Sequence, residues 1–157
     1  MEAGSCSFTA DVTANYGDRV YAFVLACRYE NGEAQLEVLE PKTIAGIRAE
    51  TSQNGTELIF ESVELEFGQL ANGFVSPVAV PWLLVQCWVE EYIAYAGADG
   101  ELERVTYLRG YNDEELVVDT WFHGNTPVYA EVVHDGVRCV SIEIHDFQMI
   151  PQNGTAE

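Results

Sequence analysis

Residues 21–38 read YAFVLACRYENGEAQLEV, and the Asn31-Gly32 pair at their centre decides the fold. Asn-Gly is a strong two-residue hairpin turn, because both positions accept the positive φ that a tight turn demands. On either side of it, apolar and polar residues alternate with the period of two that sends every second side chain to one face of a strand. A two-residue turn sets Tyr29 against Ala34, Cys27 against Leu36 and Leu25 against Val38, so one face of the hairpin is apolar throughout. The same reading extends upstream across Asn15-Tyr-Gly-Asp18. A four-residue turn there places Val12 beside Tyr21, Ala10 beside Phe23, Phe8 beside Leu25 and Cys6 beside Cys27, all on that apolar face.

Downstream, Ile44–Thr51 and Thr56–Phe60 flank Asn54-Gly55 as a further hairpin, and Val63, Leu65 and Phe67 alternate with Glu64 and Glu66 as a half-exposed strand. The pattern then changes. Ser76-Pro77 and Pro81 offer helix starts, and Trp82 to Ala96 runs without Gly or Pro until Gly97, a natural C-terminal stop. Apolar residues cover nearly the whole circumference of this one predicted helix, so the sheet must envelop it. The last third returns to strands at Glu101–Arg109, Glu114–Phe122, Pro127–His134 and Val137–Phe147. About ten short antiparallel strands exceed what an open sheet carries without curling. The expected class is α+β: a strongly curved antiparallel half-barrel with one apolar helix on its concave face. A single domain over residues 1–157 is expected, with an ordered core at about 6–148 and a frayed tail at 151–157.

Seven basic residues against 26 acidic ones give a formal net charge of −19, a field that repels phosphate backbones and excludes nucleic acid as a partner. With 48% hydrophobic residues, three Trp, eight Tyr and seven Phe, the charge decorates a folded surface rather than a disordered tail. No run approaches the ~18–20 apolar residues of a membrane-spanning helix.

The stretch Leu36-Glu-Val-Leu-Glu-Pro41-Lys-Thr-Ile-Ala-Gly46-Ile resembles the strand, proline and turn of the LolA/LppX-type superfamily of lipoprotein carriers. Asp119-Thr-Trp121, Asn125-Thr-Pro127-Val-Tyr-Ala-Glu131 and Ser141-Ile-Glu-Ile-His-Asp146-Phe147 are similar to its closing hairpins, in the same order. Ser5-Cys6 at the head of the first strand looks like the LolA-like lipoproteins of spore-forming Gram-positive bacteria, the germination lipoprotein group among them. The resemblance implies a half-barrel with a helix on its concave face; separately, no G-x-S-x-G, P-loop or G-x-G-x-x-G motif is present and no enzymatic activity is expected. The resemblance also implies an extracytoplasmic address, with membrane anchoring through a lipidated segment upstream of this chain. In characterised relatives the concave cavity holds an acyl chain or a lipoprotein's lipid; an envelope protein is the other partner class.

Phe23, Leu25 and Val38 on the sheet, with Trp82, Trp88 and Tyr92 on the helix, have two readings: lining of an apolar ligand cavity, or core filling. Cys6 and Cys27, opposite one another in the register above, are read as a disulfide or as two buried thiols. His123, His134 and His145 are expected at separate strand ends, and no Cys or His stands at metal-ligand spacing, so neither a metal nor a cofactor is expected. Glu64/Glu66, Glu90/Glu91 and Asp113/Glu114/Glu115 read as solvated surface rather than as a converging acid–base pair.

Overall fold

The computed structural model describes residues 5–15, 20–42, 45–46, 48–52, 55–58, 80–90, 93–109, 116–134 and 136–150. The strands are β1 (Ser5–Asn15), β2 (Val20–Glu30), β3 (Glu33–Glu40), β4 (Arg48–Ser52) and β5 (Gly55–Leu58). After the helix α1 (Val80–Glu90) come β6 (Ile93–Asp99), β7 (Leu102–Arg109), β8 (Leu116–His123), β9 (Thr126–His134) and β10 (Val137–Ile150). They form one open, curved antiparallel sheet in the order β5-β4-β3-β2-β1-β10-β9-β8-β7-β6. The first and last strands therefore lie side by side at its centre, and every other neighbour follows in sequence. The predicted strand at Val63, Leu65 and Phe67 lies outside the described residues.

The Asn31-Gly32 turn forms as read. Both residues have positive φ, 53° and 86°, and Tyr29, Cys27 and Leu25 pair with Ala34, Leu36 and Val38. The first hairpin differs from expectation. Asn15 pairs with Val20, which moves the register two residues from the predicted one: Val12 pairs with Phe23, Ala10 with Leu25, Phe8 with Cys27 and Cys6 with Tyr29. A slip of one residue would have turned the apolar set to solvent, whereas a slip of two keeps every side chain on its face. Hydrophobic patterning is therefore blind to this error. At the third hairpin Gly55 enters the ladder opposite Ser52 rather than occupying the turn.

One face of the sheet carries the core. Phe8, Ala10, Val12, Leu25, Cys27, Leu36, Val38, Val118, Ala130, Val132, Ile142 and Ile144 all lie there and are buried. Near the end of β10 the residue Asp146 has φ 57°, and the pairing with β1 shifts between Ser7 and Thr9. This bulge resets the alternation, so that Phe147 joins Ile144 on the core side.

The predicted helix Trp82–Ala96 is shorter than expected and ends at Glu90, and Ile93–Asp99 forms β6 instead. Asp99 pairs with Leu102 across Gly100-Glu101, with Gly100 at φ 66°. That turn makes a β6–β7 hairpin out of the residues read as a last helical turn, and Gly97 sits within a strand rather than at a helix cap. A short apolar run lacking breakers suits either state, and the hairpin partner decides. Among the described residues no helix is long and apolar enough to cross a membrane.

Candidate functional site

An 11-residue helix is marginal on its own in water, and α1 has neither an acidic first turn nor a basic last turn to help it. The sheet holds it by apolar packing and three side-chain hydrogen bonds. Tyr29 Oη on β2 donates to Gln86 Oε1 at 2.9 Å, and Trp82 Nε1 donates to the carbonyl of Gly32 at 2.9 Å. From the other half of the sheet, Trp88 Nε1 donates to Thr120 Oγ1 on β8 at 3.0 Å. Gln86 and Thr120 are buried, so the bonds to these two also satisfy polar groups cut off from water.

Trp88, 1% exposed, is the centre of an aromatic cluster. Its ring lies 6.1 Å from Phe8, 6.0 Å from Phe122 and 6.1 Å from Phe147, in tilted and edge-on arrangements. Of the residues singled out in the sequence, Phe23, Leu25, Val38 and Trp88 are buried in the one core, with Trp82 packed against it half-buried. Tyr92 lies outside the described residues.

Cys6 and Cys27 are not cross-strand partners, because the register places Tyr29 and Phe8 opposite them. They are diagonal neighbours on one face, a relation that spans about 7–8 Å where a disulfide needs Cα atoms within about 4.4–6.8 Å. All four cysteines are free and buried. Burial pushes the Cys6 thiol up to about 11. Cys27 is raised further, first by burial and then by Cys6.

The outward face carries polar chemistry that the sequence did not advertise. Asp119 is a buried carboxylate that accepts from Arg104 Nε at 3.2 Å, from Arg104 Nη2 at 3.1 Å and from the Thr106 hydroxyl. The hydrogen bond to Asp119 raises the Arg104 pKa above its ordinary value. The Arg104 guanidinium lies 5.4 Å from the centre of the Trp121 ring, whose Nε1 donates to Asp99 at 2.7 Å. Tyr129 donates to Glu131, which also accepts from Arg138; burial and then Glu131 raise the Tyr129 pKa. Elsewhere on this face a recess of about 600 Å³ is lined by Ser7, Thr9, Arg28, Gln35, Arg48 and Glu50 among others. Its arginines are paired with Glu30 and Glu37.

His145 does not stand at a strand end. It lies inside β10, 3.1 Å from Asp11 on β1. The acidic groups Glu64, Glu66, Glu91, Asp113, Glu114 and Glu115 lie outside the described residues, as does the Glu90 side chain.

An open, curved antiparallel sheet bearing one helix among the described residues defines the structural class. No family profile and no curated protein sequence matches the chain. Among solved structures, it is similar to a LolA superfamily protein from Nitrosomonas europaea, at a TM-score of 0.50 and 9% identity over 98% of this chain and 90% of that one. A conserved uncharacterised protein from Thermus thermophilus is similar at a TM-score of 0.50 and 7% identity, over 96% of this chain and 82% of the other. The fold is LolA-like. At such identities the likeness lies in the path of the backbone and assigns no role to a side chain.

Proposed function

We propose that this chain is a non-enzymatic extracytoplasmic domain that holds an acyl chain, from a lipid or a lipoprotein, between its sheet and α1. The observation that carries the reading is the continuous apolar face running from β4 to β7. In a LolA-like fold, that face meets one short helix among the described residues. Phe23, Leu25 and Val38 form the sheet wall of the site, with Trp82 and Trp88 on the opposite wall.

Helix placement on the concave side is part of this proposal. From β2 to β8 the sheet order crosses four inter-strand spacings, about 19 Å in a flat sheet, while a helix with its side chains is about 10–12 Å across. The same helix bonds to Tyr29 on β2 and to Thr120 on β8, as a sheet bent around it allows. In the state described here the sheet wall and α1 share one buried core, so an acyl chain enters by replacing helix contacts. Each methylene then buried gains about 0.8 kcal/mol. The extracytoplasmic address, an upstream lipid anchor and kinship with Gram-positive germination lipoproteins belong to the same proposal.

A second reading rests on a specific observation, the packing of Trp88 by three phenylalanine rings. A core filled in this way suits a ligand-free module that binds an envelope protein through its outward face. Contact quenching by fatty acids brominated along the chain separates the two. Trp121 lies on the outward face beside Tyr129, so a Trp121→Phe variant leaves Trp82 and Trp88 as the reporters. Saturable quenching at one equivalent supports acyl binding; emission unchanged through saturating fatty acid leaves the filled-core module.

A further inference from the structure

At the centre of the sheet, on its outward face, three metal-ligating side chains lie within reach of a single ion. Asp11 on β1 is the cross-strand partner of Glu143 on β10, and the next pair on the same face is Thr9 with His145. His145 Nε2 stands 3.1 Å from Asp11 Oδ2 and 3.8 Å from Glu143 Oε1, and all three donor atoms lie within 4.8 Å of one another. Two carboxylates directly opposite across a ladder repel. Among the described residues the ion-pair partner of both is His145, whose imidazole neutralises them only when protonated.

A divalent ion at about 2.0–2.2 Å from an imidazole nitrogen and carboxylate oxygens holds those atoms about 3.0–3.5 Å apart along the edge of a tetrahedron or octahedron. The observed 3.1 and 3.8 Å require only small side-chain rotations to meet that geometry. We propose that Asp11, Glu143 and His145 bind one divalent transition-metal ion of the zinc type. One nitrogen and two oxygens would take one side of the ion, with water completing the other. The imidazole selects zinc-like ions over Mg²⁺ and Ca²⁺, which take all-oxygen shells. The ion ties the first strand to the last, between residues 134 apart in sequence.

The test uses the full chain stripped of metal with a chelator, in salt and excess Mg²⁺ so that the diffuse field of a chain at −19 is screened. Zn²⁺ uptake is followed by calorimetry and Co²⁺ uptake by visible absorption. One saturable equivalent is expected, with a Co²⁺ spectrum free of thiolate charge transfer and a melting temperature that rises with Zn²⁺. His145→Ala should abolish the saturable uptake and Glu143→Gln should weaken it at least tenfold, both retaining the wild-type circular dichroism. Uptake unchanged in His145→Ala, a thiolate band from the buried cysteines, or no saturable uptake above the Mg²⁺ background would each overturn the proposal.

Discussion

Trp88 ties α1 to three strands, since its ring meets residues of β1, β8 and β10 and its nitrogen is satisfied by Thr120. Truncating it to Ala opens a large cavity, so Trp88→Ala should lose about 3–5 kcal/mol in urea unfolding. Trp88→Phe, which keeps a ring and forfeits the hydrogen bond, should cost less. The two arginine pairs make a sharper comparison. Arg104 serves a carboxylate with a side-chain exposure of 6%, whereas Arg28 and Glu30 are both about half exposed. Removing Arg104 strands a buried charge, and with the arginine itself partly solvated Arg104→Ala should cost about 1–3 kcal/mol. Arg28→Ala should stay within about 0.5 kcal/mol. The thiols predict a pH dependence. Cys6 titrates at about 11 when folded against an ordinary 9.0, and Cys27 is raised in the same direction. As pH approaches and passes 9 the unfolded chain releases thiol protons that the native state retains, so stability falls as pH rises through that window and is level well below it. Urea midpoints at pH 7, 9 and 10 should decline in that order, and less steeply in a Cys6→Ala/Cys27→Ala variant.

At the scale of elements, what the sequence displays is local. Asn31-Gly32 announced its turn and its register, because the turn residues and the alternation are contiguous. The β1–β2 register was not legible, since a two-residue slip leaves every apolar side chain on the core face. The end of α1 was hidden for a related reason: no glycine or proline stands between it and Ile93, and only the pairing of β6 with β7 selects the strand. Two glycines test this boundary. Gly100 has φ 66° with open space around it, whereas Gly97 lies in the strand with the Tyr95 hydroxyl over its Cα. Gly100→Ala should cost about 1 kcal/mol from the left-handed backbone it must keep. Gly97→Ala should cost less, because the tip of the Tyr95 ring, 58% exposed, is free to turn aside. Equal losses at both would place Gly97 at a helix cap after all.

For the whole molecule, the decisive contact joins the ends of the chain. β1 pairs with β10 along most of its length, and the outward cluster Asp11–Glu143–His145 exists only once these distant strands are neighbours. That is why it was invisible in sequence, where His145 stood merely two residues from one acid and far from the other. The burial of Phe23, Leu25 and Val38 was legible, because on strands burial follows alternation. Whether they line a ligand or fill a core depends on sheet curvature, which no local pattern encodes. Non-local pairing of this kind closes its longest loop late, so refolding should be slow for the chain length, in the millisecond-to-second range typical of β topologies; stopped-flow tryptophan fluorescence reads it directly.

Acyl binding between the sheet and α1 is tested most directly by native mass spectrometry of the gently purified protein, before and after incubation with long-chain fatty acid or phospholipid, with the released ligand identified after denaturation. The account predicts a stoichiometric adduct of one acyl-bearing molecule that is lost in Trp88→Phe or weakened by it. Bare protein in both samples would contradict it and leave a filled LolA-like domain that acts through its outward face.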